Sequence, residues 1–159
     1  MRIIVICVGK IKEKFYKEAL SEYTKRLSKY CKLDIYEVAD EKTPDGASDN
    51  VCNQIMLKEA ERIISKIPDN AYLIATAIEG KKYDSVGFSK TIENLGIKGE
   101  STIVFVIGGS LGLHDTIKKR CNLLVSFSDM TFPHQLMRVI LLEQIYRAFR
   151  IQNNEPYHK

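Results

Sequence analysis

The sequence has no tryptophan and no apolar run long enough to cross a membrane. A membrane-spanning helix needs about 20 consecutive apolar residues, whereas a run such as Ile3–Val8 has only the length of a strand. Gly9 and Lys10 end that run, so it does not have the form of a secretion signal. We therefore expect no membrane anchor and predict a cytoplasmic protein.

Paired cysteines are also missing. The four cysteines lie far apart and form no CxxC motif: Cys7, Cys31, Cys52 and Cys121. Without a secretion signal they are best interpreted as reduced thiols. We expect neither disulfides nor a structural metal site.

The common nucleotide-binding fingerprints are absent as well. The glycine-rich stretch Gly108–Gly112 reads GGSLG, which is neither GxxxxGK[ST] nor GxGxxG. A P-loop enzyme or an ordinary dehydrogenase is therefore excluded. The stretch follows a run of β-branched and aromatic residues, Ile103–Ile107, which favours a buried strand. Open α/β sheets bind ligands at the carboxyl ends of their strands, so GGSLG is either a small-ligand site or simply a tight turn.

Predicted strands and helices alternate along the whole chain. The pattern indicates an α/β fold with a mainly parallel sheet and helices on both faces. No linker or repeat divides it, which predicts one domain over residues 1–159. The predicted strands are 2–8, 33–38, 72–78, 102–107 and 122–127, and the predicted helices are 13–29, 49–67, 85–95, 114–120 and 134–151.

Positive charge is concentrated near the amino terminus. Residues 10–32 hold eight basic and three acidic side chains, a net charge of +5 in a chain whose total is +4. Such a segment favours a polyanionic partner. The alternative is a solvated helix face.

The last predicted helix has apolar residues over an arc of about 200°, roughly twice that of an ordinary surface helix. This width predicts burial against a second surface, most simply in a two-fold homodimer. Arg138 lies inside the apolar arc. It either pairs with a carboxylate across the interface or faces a site that requires positive charge. Arg147 and Arg150 lie on the opposite face, where solvation is the default.

Two further places carry groups capable of chemistry. His134 follows Pro133 at a helix start, where a histidine is most often structural. The chain ends in Tyr157, His158 and Lys159. These could respectively stack on a base, move a proton and contact a phosphate. The alternative is a disordered basic tail.

Four stretches together resemble the RlmH family of SPOUT methyltransferases, and the similarity covers nearly the whole chain. They are VGKIKEKFYKEALSEYTKRL at 8–27, VIGGSLGLH at 106–114, SFSDMTFPHQLMRVILLEQIYRAFRI at 126–151 and PYHK at 156–159. The resemblance implies methylation of 23S ribosomal RNA, dependent on S-adenosylmethionine, at N3 of pseudouridine 1915 in helix 69. It also implies a homodimer, with the ribosome as partner. The expected fold is an α/β knot, with a carboxyl-terminal trefoil knot in about residues 72–159.

The resemblance also implies roles for individual residues. The cofactor would be held by Thr76, Gly108, Gly109, Phe127, Ser128, Asp129, Met130, Thr131 and Phe132. The expected catalytic residues are Arg138, Tyr157 and His158. The expected rRNA contacts are Lys10, Lys12, Lys14 and Lys159. The family more often has a leucine and an acidic residue where Thr76 and Ala77 stand, which could lower cofactor affinity unless Glu79 substitutes.

Two other functions fit the same fold. One is a SPOUT enzyme acting on another RNA, such as tRNA. The other is a non-catalytic protein that binds the ribosome. The intact GGS loop, the intact Phe127–Phe132 loop and the YHK tail argue against the non-catalytic alternative.

Overall fold

The structure, a computed structural model, describes residues 1–159 as five strands alternating with five helices. The predicted element order is confirmed, with most boundaries within a few residues. In chain order the elements are β1 Arg2–Val8, α1 Lys14–Leu27, β2 Lys32–Val38, α2 Asp49–Ile64, β3 Tyr72–Lys82, α3 Ser85–Ile97, β4 Thr102–Ile107, α4 Asp115–Arg120, β5 Leu123–Ser126 and α5 His134–Gln152. No helix is long and apolar enough to cross a membrane.

All five strands form one parallel sheet in the order β2-β1-β4-β3-β5. The central strands β1 and β4 are buried almost end to end. Continuous apolar runs are expected of strands covered on both faces. The predicted class is therefore confirmed.

Alternate residues of β1 point into two separate helix layers. Ile3 and Val5 pack with residues of α1, α3 and α5, whereas Ile4 and Ile6 pack with residues of α2 and α4. This alternation follows from the two-residue period of a strand. The thicker layer contains α5, with α1 and α3 on either side of it.

The packing of α5 corrects one sequence inference. Its wide apolar arc is covered within the chain by the sheet, α1 and α3. Ser89 of α3 also donates a hydrogen bond to the carbonyl of Ala148, at 2.9 Å. The chain itself therefore covers most of the arc, so the width of the arc does not require a second chain. The homodimer stays a prediction and rests on the family resemblance.

Strand β3 is longer than predicted. The predicted strand ends at residue 78, but β3 bulges after Thr76 and pairs with β5 again at Lys81. A methyl group at Gly80 would lie 2.6 Å from the carbonyl carbon of Val125. The glycine therefore allows the bulged strand to stay against β5.

Candidate functional site

A cavity of about 980 Å³ opens beside the carboxyl ends of the central strands. Three chain segments form most of its wall. They are residues 76–79 in the bulge of β3, residues 107–113 after β4, and residues 127–135 between β5 and the start of α5, without Asp129. Ligand sites of α/β sheets are expected at this edge.

The glycine loop approaches the cavity with backbone rather than side chains. A methyl group at Gly108 would lie 2.7 Å from the carbonyl carbon of Gly112, and one at Gly109 would lie 3.1 Å from a Val8 methyl. Gly112 has φ +85°, a conformation that favours glycine. The loop is therefore a closely packed backbone surface beside which a ligand can lie.

The loop after β5 is held in shape by its own hydrogen bonds. The Ser128 hydroxyl accepts from the Met130 amide at 2.9 Å, and Ser126 donates to the Ser128 carbonyl at 3.1 Å. Phe127 lines the cavity while packing edge-on against Phe88, with ring centroids 5.9 Å apart. The loop therefore forms one wall of the cavity, and the packing of Phe127 on Phe88 holds it in place.

Eight of the nine expected cofactor residues line this cavity, and Asp129 does not. The Asp129 carboxylate faces outward and pairs with Lys82 of β3 at 2.6 Å, with 78% of its side chain exposed. Its side chain therefore steadies the outer surface of the loop.

The bulge of β3 contributes few free polar groups. The Thr76 hydroxyl donates to the Val106 carbonyl at 3.1 Å, which ties β3 to β4. Glu79 lines the cavity, but its carboxylate pairs with Lys118 of α4. The hydrogen bond from Lys118 lowers the pKa of Glu79. Thr76 and Ala77 thus place no acidic group on this wall, and the Glu79 charge is already paired.

Arg138 is buried, and its two terminal guanidinium nitrogens are hydrogen-bonded within the chain. Its guanidinium donates to Glu37 at 2.8 Å, to the Val8 carbonyl at 2.8 Å and to the Gly9 carbonyl at 2.7 Å. Glu37 also accepts from the amide of Ile11 at 2.9 Å. Arg138 therefore pairs with a carboxylate, which was one of the two alternatives raised by the sequence. The carboxylate belongs to the same chain and does not lie across an interface. It fixes the turn after β1 and does not line the cavity.

His134, by contrast, lines the cavity next to that turn. Its Cε1 lies 3.6 Å from the position a methyl group would take at Gly9. Burial, followed by the positive charge of Arg138, lowers the pKa of His134. The side chains of Lys10, Lys12 and Lys14 are exposed just beyond the turn, so the basic segment begins beside the cavity.

The carboxyl-terminal tail is folded against α5 and α1. Tyr157 donates to Glu143 at 3.0 Å and packs edge-on against Tyr146, with ring centroids 4.9 Å apart. Burial and hydrogen bonding raise the pKa of Tyr157. The Arg147 guanidinium lies 4.7 Å from the centre of the same ring. This tail is therefore not a disordered one.

Glu155 provides a second attachment for the tail. It accepts from Lys29 of α1 at 2.8 Å and also binds Tyr30 and Arg150. Arg150 also donates to the Pro156 carbonyl at 2.9 Å. The prediction that Arg147 and Arg150 are merely solvated was wrong, because the tail returns along the face on which they lie.

Within one chain the tail does not reach the cofactor-type cavity. His158 lines a second cavity, of about 490 Å³, and Tyr157 lines neither. The two cavities share Val125, Phe127 and Phe132 as a common wall. His158 thus lies on the far side of that wall, and Lys159 is exposed.

Sequence reasoning missed the contributions of the second helix layer. Asn53 and Met56 of α2 line the cavity. Glu59 is buried beneath it, 3.2 Å from the position a methyl group would take at Gly109. The signal available in the sequence was a charged residue, Glu59, close to the apolar Ala60 and Ile63 of α2. A charged residue among apolar ones is also what singled out Arg138.

Comparisons with known proteins agree over the full length. The family model described as "Predicted SPOUT methyltransferase" matches residues 1–158. Three relatives each align over 159 residues, covering all of both chains. Ribosomal RNA large subunit methyltransferase H 1 of Clostridium perfringens is 59% identical, and ribosomal RNA large subunit methyltransferase H of Bifidobacterium adolescentis is also 59% identical. The methyltransferase H of Streptococcus gordonii is 55% identical.

A solved structure extends the comparison to the fold. It is a probable methylase family protein from Haemophilus influenzae Rd KW20, with a TM-score of 0.57 and 12% sequence identity. The match covers 99% of this chain and 70% of that one. At this identity the likeness concerns the fold alone.

Proposed function

The chain belongs to the SPOUT methyltransferase family and is a methyltransferase of large-subunit ribosomal RNA, and we propose that it methylates N3 of the helix 69 pseudouridine, position 1915 of 23S rRNA, with S-adenosylmethionine as donor. The observation that carries the proposal is the convergence of eight expected residues from three separate loops on one cavity. Ribosomes are its partner, so it works in the cytoplasm.

The cavity fits the donor in size and chemistry. Small-molecule sites are commonly about 300–1,000 Å³, mostly apolar, with a few fixed polar groups, and this one holds about 980 Å³. A methyl group at Gly108 would press on the Gly112 backbone and one at Gly109 on Val8, so only glycines allow the loop to keep this shape beside the cavity. The Thr76 hydroxyl is used within the sheet, and Ala77 has no polar side chain. We therefore propose that backbone groups in the bulge of β3 contact the methyl donor.

When bound, S-adenosylmethionine supplies a methyl group already activated by a positive sulfonium. The protein therefore has to align the acceptor and assist loss of the N3 proton. Tyr157 is proposed to position the base and His158 to handle the proton. The Arg138 guanidinium is 1% exposed and has three partners, so it acts as a positioning residue for the turn after β1. Since Arg138 does not line the cavity, we do not propose for it the catalytic role that the resemblance implied.

The position of the tail favours a composite site in a homodimer. In one chain Tyr157 and His158 are separated from the cofactor cavity by the wall formed by Phe127 and Phe132. A tail supplied by a second protomer would bring both groups to the open side of the cavity.

The exposed lysines next to His134 support an approach of the RNA across the start of α1. Phosphate contacts position a nucleic acid without reading its sequence. Lys159 would contribute from the tail. This arrangement places the backbone contacts beside the proposed site of chemistry.

The test uses labelled S-adenosylmethionine and ribosomes from cells that lack this protein. Free rRNA, large subunits and assembled ribosomes are assayed in parallel, and the label is located by nuclease digestion and mass spectrometry. Label on the helix 69 pseudouridine is expected. Label on tRNA but on no ribosomal form would overturn the substrate, and no transfer at all would indicate a binding protein.

A truncated variant tests whether the tail is needed for methyl transfer. Deletion of Tyr157–Lys159 should abolish transfer while cofactor affinity, measured by calorimetry, stays within about two-fold. Wild-type turnover by this variant would remove the tail from the mechanism.

A further inference from the structure

The two ring nitrogens of His134 have different surroundings. Nδ1 is buried and has no hydrogen-bond partner, and it is the only histidine nitrogen of the chain in that situation. The residue itself is only partly buried and lines the cavity. One nitrogen is thus enclosed by protein, while the ring borders the cavity in which we propose that the methyl transfer takes place.

These surroundings select one form of the ring. A proton on Nδ1 would create a buried N–H donor with nothing to receive it, which proteins rarely tolerate. A lone pair on Nδ1 suits the positive field of Arg138, one turn further along α5. The favoured form is therefore neutral, with its proton on Nε2.

The charged groups around the ring are few. Arg138 of α5 disfavours the imidazolium, whereas Asp40 from the loop after β2 and Glu13 before α1 favour it. Burial is the largest influence, and it also disfavours the charged form. Glu37 offsets part of the Arg138 charge through their ion pair, yet the balance leaves the ring neutral near pH 7.

We propose that His134 is a catalytic residue that donates a hydrogen bond from Nε2 to an imide carbonyl oxygen of the target base. The inference rests on the proposed function. It gives a specific role to a residue that the sequence marked as most often structural, with catalysis as the alternative. As the N3–H bond breaks, its proton passes to His158 or to solvent. The electron pair left on N3 then forms the new bond to the methyl carbon, while the methyl–sulfur bond breaks.

The hydrogen bond matters most while the imide carries negative charge. That charge is shared by the two carbonyl oxygens flanking N3, and a fixed donor aimed at one of them stabilises it without reorganisation. Loss of one such donor typically lowers the rate by about 100-fold or more. His134 thereby takes the charge-stabilising role that the buried Arg138 cannot perform by contact.

The first test needs no RNA. Long-range ¹H–¹⁵N NMR of the labelled full-length protein at pH 7 should show, for His134, a neutral imidazole with its proton on Nε2. The signal is assigned to His134 by its absence from the spectrum of His134→Gln. An imidazolium or an Nδ1–H form of His134 at pH 7 would overturn the proposal, whatever the enzyme's substrate is.

The second test measures single-turnover methylation of ribosomes for His134→Phe and His134→Gln between pH 6.5 and 9. Phenylalanine keeps ring volume without a donor, whereas the glutamine amide can still donate. We expect His134→Phe to lose about 100-fold at every pH and His134→Gln to retain more of the rate. Because His134 lines the proposed donor cavity, the S-adenosylmethionine affinity of both variants is measured by calorimetry, and the rates are compared at saturating donor.

Two kinetic outcomes would refute the donor role. An unchanged rate in His134→Phe would remove His134 from the chemistry. A defect that disappears at high pH, where N3–H ionises without help, would make His134 a general base instead of a donor. Failure of the wild-type protein to methylate any ribosomal form would sink the proposed function, and the NMR result would remain a separate finding.

Discussion

Replacing Arg138 with methionine tests whether this arginine belongs to the fold or to the chemistry. Methionine has a similar reach and no charge, so the change mainly removes the donors. The Val8 and Gly9 carbonyls then lose a charged partner inside the protein. Glu37 has a side chain that is 36% exposed, so water can replace the arginine there.

The expected loss of stability follows from these contacts. An unsatisfied buried polar group costs about 1–3 kcal/mol, and breaking a buried charge pair by removing one partner costs about 3–5 kcal/mol. The Arg138 Nε has no partner in the native structure, so its removal relieves a small penalty. We expect a net loss of about 3–5 kcal/mol, a large part of the 5–15 kcal/mol that stabilises a typical domain.

Urea unfolding followed by circular dichroism at pH 7 measures this loss. With a slope of about 2 kcal/mol per M, the midpoint should fall by about 2 M. Arg26→Met is the matched control, because Arg26 lies on the surface of α1, where its one ion pair is with Glu22 and its guanidinium lies over two tyrosine rings that methionine can still contact. Its midpoint should hardly move. A loss below about 1 kcal/mol for Arg138→Met would refute the reasoning and return Arg138 to a role in the reaction.

Three further predictions address the cavity, the buried acid and the RNA surface. Gly108→Ala should weaken S-adenosylmethionine binding at least about ten-fold in calorimetry, because the new methyl group would press on the Gly112 carbonyl. Gly96→Ala in α3, where only the flexible end of Met1 is near, should bind normally, and equal affinities would contradict the close-packed loop. Burial raises the pKa of Glu59, so its contribution to stability is present below the unfolded pKa and is lost as pH rises through the folded one. Glu59→Gln should therefore be more stable than wild type at pH 7, with the difference vanishing at about pH 4 in urea titrations, and a destabilised variant at pH 7 would show that the charge itself is needed. The triple variant Lys10→Ala/Lys12→Ala/Lys14→Ala should bind ribosomes more weakly and with a flatter salt dependence, whereas Lys90→Ala/Lys98→Ala, in α3 and just after it, should not. An unchanged salt slope for the triple variant would indicate that the basic segment is only a solvated surface.

Most of the fold was predictable because its signals are local. Runs such as Ile103–Ile107 have the continuous apolar pattern of a strand covered on both faces, and the structure confirms them. The bulge in β3 escaped prediction because it depends on β5, which follows it in the chain. In its local sequence Gly80 is typical of a turn, but in the structure it allows β3 and β5 to approach each other. Local pattern does not distinguish these two uses of glycine.

The parts of the site that are formed by single loops could be predicted from the sequence. The parts that depend on contacts between residues far apart in the chain were harder to predict. The glycine loop and the loop after β5 meet at one cavity, as the family resemblance implied. The partner of Arg138 could not be read from the sequence, because Glu37 lies on β2 and comes together with α5 only in the folded chain. For the same reason Glu155, which holds the tail against α1, looked like one acidic residue in a loose end.

The strand that fills the centre of the sheet is synthesised late. Until Thr102–Ile107 has emerged, β1 has only β2 beside it, and β3 has neither of its final neighbours. Parallel pairings between such distant segments form slowly, and apolar strands with open edges tend to pair with other chains. A nascent chain that stops before β5 should therefore yield aggregation-prone fragments instead of a smaller folded unit. We therefore expect the sheet to form as one unit, and only after β4 and β5 have been synthesised.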